Sequence, residues 1–400
     1  MYMKKKLLFI MPGLGAGGGE RSLVTLLSQI DYEKYDVDLF LFKHDGIFMK
    51  ALPEEVNVLK HRDDYLAFTQ PFIDSLKILF NASKFRLLFN RILFSLRNQY
   101  RKGSAVTEQS AWQYLSMSMD KLQTKYDAAI GFLEKTSIYY CIDKVDAVKK
   151  IGWIHNDYDK LGMDVGFDGK YFKQLDEIVT VSKECEHVLK KRFPEQVHKI
   201  STIHNIVSPK LIKKLSRITN NDLYNRKAGE CILLSIGRLH PQKGFDIAVE
   251  ACARLIAYGK AVRWFIIGEG EEREQLRKTI RKHNVEGQMI LLGLKDNPYP
   301  YIEQCDIYVQ PSRFEGKSIA VDEAKILCKP IVITNFSTAR DQIQNGINGT
   351  IAPMNAIDLA SAISDLIGNR DKVNELCFRL SNETLGTEEE IDKLYKLVGG

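Results

Sequence analysis

Apolar residues in this chain fall into two alternating spacings: short unbroken runs, and recurrences every three or four residues. The unbroken runs read as strands covered on both faces: 7–12, 37–42, 126–132, 150–154, 177–181 and 200–204 in the first half, then 231–236 and 306–312. Helical spacing follows several of them, through Leu23, Leu26 and Leu27, over Lys183–Arg192, and through Ala248, Val249, Ala251, Leu255 and Ile256. This alternation predicts an α/β architecture of parallel strands, with ligands gathered at their carboxyl ends.

Chemistry concentrates at two of those ends. After the run 306–312, Glu315 falls in the loop leaving the strand and Glu323 on the first turns of the next helix. The N–H groups of residues 316–319 are expected to point free at a helix N-terminus, an anion site. Such a corner can hold a sugar, ribose hydroxyls and a phosphate, although two solvated glutamates would show the same spacing. The run 231–236 ends in Gly237 and Arg238, and its loop carries Lys243 and Gly244. Glycine admits close backbone approach, and the cations offset charge that grows as a diphosphate leaves. The plain alternative is a helix-entry loop with surface cations.

Together these residues carry a resemblance. The chain resembles GT-B-fold glycosyltransferases of the large retaining family 4, also called glycosyltransferase group 1. The motifs are Gly237-Arg238-Leu239 with Lys243-Gly244, Ile267-Gly268-Glu269-Gly270, Ser312-Arg313-Phe314-Glu315-Gly316, the pair Glu315 and Glu323, and Asn345-Gly346 with Asn348-Gly349. The likeness covers nearly the whole chain and is sharpest over 231–352. It departs from the family pattern at Lys317, where relatives carry an apolar residue, at Cys328-Lys329-Pro330, and over 337–341. Lys317 is expected to meet a phosphate, an acidic group or water, with solvent exposure favoured.

The resemblance implies two Rossmann-like, doubly wound parallel-sheet domains facing a central cleft. It also implies a nucleoside-diphosphate sugar as donor, UDP-linked in preference to GDP-linked, and transfer with retention. Arg238 and Lys243 would hold the departing diphosphate, and Glu315 the sugar, with His155 at a sugar hydroxyl. Glu323 would bind the ribose, Gly293 and Leu294 the base, and Gly237, Gly268, Gly316, Lys317, Ser318 and Ile319 the rest of the donor. No metal or other cofactor is expected, since cations and a helix dipole supply the electrostatics. The two carboxylates are binding groups here, unlike the acid/base pair of a glycosidase.

Length and composition agree with two domains. The chain has 400 residues, 44% hydrophobic and 27% charged, as in ordinary globular proteins. The expected division is 1–206, a polar aperiodic linker at 207–229, 230–380, and a terminal helix within 381–400 that, as the resemblance implies, crosses back to the first domain. The seven cysteines are scattered with no C-x-x-C, which fits buried thiols in a reducing compartment. No leader is evident and no run reaches the length of a membrane span, so a cytoplasmic protein is expected.

The first half opens its first helix with a glycine-rich loop, Gly13 to Gly19, followed by Glu20 and Arg21. Its spacing also satisfies a dinucleotide fingerprint, but the second strand offers only Asp45 as the acid such a site needs. By resemblance Gly17 and Gly18 face the donor, and Glu20 the acceptor side. His155 follows a strand, beside Asn156; Asn156 and Ser182 are further acceptor-side candidates. Asp36-Val37-Asp38 begins a strand and reads as structural, not as the metal motif of the other major glycosyltransferase fold.

Residues 77–102 hold seven cations and no carboxylate, with large apolar residues between. Lys84, Arg86, Arg91, Arg97 and Arg101 would suit an interfacial helix drawn to anionic lipid, at about 1 kcal/mol per well-placed cation. Equally, the stretch could pack its apolar side on the core with its cations in water. No nucleic-acid module is present. The expected acceptor is a lipid-linked saccharide in capsule, exopolysaccharide or lipopolysaccharide assembly, at the inner face of the membrane. A transferase on a soluble acceptor and an inactive scaffold are the alternatives.

Overall fold

Leu7, Leu8, Phe9, Ile10 and Met11 are all fully buried, which a strand achieves only when both faces of its sheet are covered. They form strand β1, Lys5–Met11, in a computed structural model that describes residues 4–15, 17–100, 105–219 and 221–399. The same sheet holds β2 (Tyr35–Leu41), β3 (Asn57–Val58), β4 (Lys125–Gly131), β5 (Asp146–Ile154), β6 (Glu177–Thr180) and β7 (Ile200–Thr202). All pairs are parallel, in the order β3-β2-β1-β4-β5-β6-β7.

A second parallel sheet holds β8 (Cys231–Ile236), β9 (Val262–Ile267), β10 (Met289–Gly293), β11 (Ile307–Gln310), β12 (Ile331–Thr334) and β13 (Thr350–Ala352), in the order β10-β9-β8-β11-β12-β13. Each sheet reverses direction beside its first strand, between β1 and β4 and between β8 and β11. A crevice at the carboxyl ends of those strands is where such sheets take ligands. Helices cover both faces of the second sheet. Trp264, Leu255 and Leu359 fill one core, and Tyr308, Phe265 and Ile333 fill the other.

The chain divides into two compact units, 1–15 with 23–203 and 391–400, and 16–22 with 204–390. In the first, Tyr395 of the terminal helix Glu390–Leu397 stacks on Tyr35 at 5.1 Å and accepts the Asp31 N–H at 2.9 Å. In the second, residues 207–229 are not the aperiodic linker expected. Pro209–Ser216 is a helix opened by Ser208, whose hydroxyl accepts the Leu211 N–H, with proline in its first turn. Tyr224 is buried against Phe265 and donates its hydroxyl to the Tyr301 carbonyl at 2.7 Å. Paired lysines concealed this element, because its inward face rests on few apolar residues, Ile212 among them.

The stretch 77–102 is not one helix. Phe72–Asn81 and Phe85–Tyr100 are separate helices that meet at a turn where Ser83 takes φ 56°. The Lys84 N–H bonds the Leu79 carbonyl and the Ser83 N–H bonds that of Phe80, the pair of bonds that closes a helix on a left-handed residue. Arg91, a candidate lipid contact, is buried instead, its guanidinium 5.3 to 5.7 Å from the rings of Phe72, Phe94 and Phe68. Lys84 pairs with Asp64, and Arg101 lies outside the described residues. Among the described residues no helix is long and apolar enough to cross a membrane. Among the described residues no disulfide forms.

Candidate active site

The loops after β8 and β11 leave neighbouring strands at the switch point of the second sheet, and side chains stitch them together. Gln242 donates its amide to the Phe314 carbonyl at 3.0 Å, and its own carbonyl accepts the Arg313 N–H at 2.8 Å. Arg313 pairs with Asp246 at 2.6 Å. Gly244 sits where this is tightest: at φ +64°, a Cβ there would lie 2.1 Å from the Pro311 carbonyl oxygen. Only glycine fits.

The stitching brings the two predicted motifs into contact. Lys243 Nζ lies 2.6 Å from Glu315 Oε1. The same oxygen accepts the Ser312 hydroxyl at 2.6 Å and the Gln310 amide at 3.2 Å. Gln310 is held in turn by the Tyr308 hydroxyl at 2.6 Å, and burial pushes that phenol well above its ordinary range. Glu315 is thus buried and fixed through Oε1, while Oε2 makes no hydrogen bond among the described residues. Arg238 is exposed in the loop after β8, and among the described residues no carboxylate pairs with it.

Glu323 is buried and differently placed. Its Oε1 takes Arg21 at 2.8 Å and the Tyr299 hydroxyl at 3.2 Å, and Arg21 also donates to that hydroxyl at 2.6 Å. Glu323 Oε2 is buried with no partner. Burial raises the Glu323 carboxyl above its ordinary value, against the lowering pull of Arg21 and Tyr299. A buried unpaired acceptor is costly unless a donor completes it.

Gly237 donates its N–H to the Ile267 carbonyl, and Gly268 donates to that of Gly293. Leu294 is half-buried beside Gly293. Gly316 and Ile319 are buried, but the N–H groups of 316–319 are not all free: Ser318 donates to Gln342 Oε1 at 2.8 Å. Lys317 is not in solvent. Its side chain is 11% exposed, with Nζ 3.7 Å from Asp322, because the helix turns that carboxylate back toward the loop.

In the first unit, His155 ends β5 and is 8% exposed, against the rings of Phe132 and Trp153. Burial lowers its pKa to about 3, so the imidazole is neutral. Its Nε2 is buried with no partner. Glu134, in the loop that follows the neighbouring β4, accepts the His155 N–H at 3.0 Å and the Asn156 amide at 2.7 Å. Ser182 is a helix cap: its buried hydroxyl accepts the Cys185 N–H at 3.2 Å, which leaves little for an acceptor. In the glycine loop, whose residues 17–20 belong to the second unit, Gly18 is exposed and Glu20 folds back over Gly17, where a Cβ would meet its carboxylate at 2.0 Å.

Sequence reasoning missed Arg21, Tyr299, Glu134, Gln310 and Ser312 as partners. Glu134 carried a legible signal, a carboxylate just past a strand end. Arg21 and Tyr299 carried none, standing 302 and 24 positions from Glu323 (323 − 21; 323 − 299).

Residues 217–383 match the family of group 1 glycosyl transferases. The chain is 24% identical over 401 residues to an uncharacterized glycosyltransferase of Haemophilus influenzae, covering 98% of this chain and 99% of that one. It is 24% identical over 340 residues to the N-acetylgalactosamine-N,N'-diacetylbacillosaminyl-diphospho-undecaprenol 4-alpha-N-acetylgalactosaminyltransferase of Campylobacter jejuni, covering 85% and 83%. An uncharacterized glycosyltransferase of Methanocaldococcus jannaschii is 27% identical over 179 residues, a match spanning only 43% of its length. Among solved structures, Anabaena HepE in complex with UDP and glucose superposes with a TM-score of 0.70 at 16% identity, covering 99% of each chain. Staphylococcus aureus TarM gives 0.67 at 16% identity, covering 100% and 99%. The fold shared with these proteins is GT-B.

Proposed function

We propose that this chain, whose residues 217–383 belong to the group 1 glycosyl transferases, moves a sugar from a UDP-linked donor to a lipid-linked saccharide, with retention and without a metal. The observation that carries the reading is the contact of Lys243 with Glu315, which joins a phosphate-type loop to a sugar-type carboxylate at one switch point. UDP is favoured because structural neighbours were solved with it. A lipid-linked acceptor is favoured by the name of the Campylobacter relative, and amylovoran and colanic acid relatives place similar chains in polysaccharide assembly.

In this reading, Lys243 and Arg238 meet the diphosphate. Charge grows on the leaving oxygen as the glycosidic bond breaks, and fixed cations stabilise that growth without reorganising. Glu315, held through Oε1, offers Oε2 to a sugar hydroxyl. Glu323 Oε2 takes a ribose hydroxyl, which would satisfy the orphan acceptor. Gly237, Gly268 and Gly293 let backbone approach the nucleotide, and Leu294 borders the base. Neutral His155 accepts from or donates to a sugar hydroxyl through Nε2, with Glu134 fixing the backbone that carries it. The acceptor hydroxyl attacks the face that the leaving group vacates. We propose that the transfer takes place in the cytoplasm, at the inner face of the membrane where a lipid-linked acceptor would lie.

A thermal-shift panel of nucleotides and nucleotide-sugars tests this. UDP and a UDP-sugar should raise the melting temperature, and Glu323→Gln should remove the part of the shift that uridine alone supplies. No response to any nucleotide, with no release of UDP from any donor, would leave an inactive scaffold as the better reading.

A further inference from the structure

The helical hairpin in the first unit presents apolar surface outward where a core helix would hide it. Phe80, Phe85 and Phe89 are 61%, 59% and 61% exposed, and Leu96 farther along the second helix is 56% exposed. Phe80 and Phe85 meet edge to face at 5.9 Å across the Ser83 turn, so the aromatic group sits at the tip where the two helices join. The inward side holds Leu79, Asn90 and the caged Arg91. Arg91 therefore belongs to the hairpin's interior, bonded to the Gln70 carbonyl and Ser95, and not to its outer face.

Charge selects the occupant. From Lys77 to Asn98 there are five cations, Lys77, Lys84, Arg86, Arg91 and Arg97, and no Asp or Glu. With Arg91 caged and Lys84 spent on Asp64, Lys77 and Arg86 remain exposed within a turn of the phenylalanines, while Arg97, farther along the second helix, donates to the Ser110 hydroxyl at 2.9 Å. Asp74, a turn below Lys77, is the nearest exposed carboxylate of the same helices. Aromatic side chains flanked by exposed cations match a surface that is apolar below and anionic above, which is the interface of an acidic bilayer. A second copy of this chain would bring the same positive charge to the contact and be repelled.

From this arrangement we infer that the hairpin tip, Phe80, Phe85 and Phe89 with Lys77 and Arg86, seats the protein on an anionic lipid surface. The inference deepens the membrane-face part of the proposed function, and flotation and the nucleotide thermal-shift panel fail separately, so the loss of one leaves the other standing. Vesicle flotation of the full chain, on phosphatidylcholine with and without phosphatidylglycerol, is the test. The wild type should float with the acidic vesicles and release as salt rises. Phe80→Ser, Phe85→Ser and Phe89→Ser combined should weaken that partition about tenfold, and Lys77→Gln with Arg86→Gln should weaken it only on the acidic vesicles. Unchanged melting temperatures confirm that these exposed changes spare the fold. Equal flotation by the phenylalanine variant, or no flotation of the wild type, would overturn the inference. So would a wild-type dimer that the phenylalanine variant turns into monomer without any lipid binding.

Discussion

Glu315 and Glu323 belong to one loop and the helix that follows it, yet their surroundings are opposite. Glu315 has one oxygen saturated by Lys243, Ser312 and Gln310, and the other makes no hydrogen bond among the described residues. Glu323 shares one oxygen between Arg21 and Tyr299 and keeps the other buried without a donor. The first is a carboxylate locked in orientation. The second is a carboxylate stored at a cost. The difference teaches that the motif spacing sets where the groups stand, while partners from elsewhere in the chain set what each can do.

Removing the partner on each side should break this contrast in different ways. Lys243→Ala should lower turnover by about a hundredfold or more, with Lys243→Arg recovering part of it, measured as UDP release from a donor that the panel identifies. Near-normal turnover would detach the loop after β8 from the chemistry. Arg21→Ala should act on stability first, costing about 3 kcal/mol in denaturant unfolding, because it strands a buried carboxylate.

The pH dependence sharpens that second case. The Glu323 carboxyl is raised in the folded protein by burial, so its contribution to stability is fullest below its unfolded value of 4.5. That contribution is lost as pH rises through the folded value. Without Arg21 the raising is unopposed, and Arg21→Ala should therefore lose more stability at pH 8 than at pH 5. An equal loss at both would mean that Glu323 stays ionised throughout.

A smaller effect belongs to His155. Its pKa is about 3 folded against 6.5 unfolded, so the unfolded chain gains a proton first as pH falls. Between pH 7.5 and 5 this group should withdraw about 2 kcal/mol of stability, and His155→Gln should flatten the profile by that amount. Smallest is the Arg313 pair with Asp246, whose side chains are 37% and 52% exposed. A double-mutant cycle should find less than about 1 kcal/mol between them.

Much of the fold was legible because its strands are covered on both faces and so appear as unbroken apolar runs. The run 177–181 became β6, Glu177–Thr180, and the next helix was read over Lys183–Arg192, its limits in the structure. Lys243 and Glu315 were legible from the residue types that a strand end collects. What escaped is what three-dimensional proximity alone supplies. Glu134 braces His155 from the loop that follows a neighbouring strand, and Arg21 reaches Glu323 from the far end of the sequence. The burial of Arg91 escaped for another reason: helical spacing marks which residues share a face, not which face turns inward. Lys317 escaped because the carboxylate that draws it in sits one helical turn ahead.

Gly268 carries a consequence for how variation in this chain should be interpreted. At φ +152°, any Cβ there would lie 1.9 Å from the carbonyl oxygen of Gly237, so even alanine would push the ends of β8 and β9 apart. A library selected solely for cellular abundance, with catalysis irrelevant, would still lose every substitution at this position. Invariance at 268 would then record the separation of two backbones, and mistaking it for substrate contact would misdirect the search for specificity.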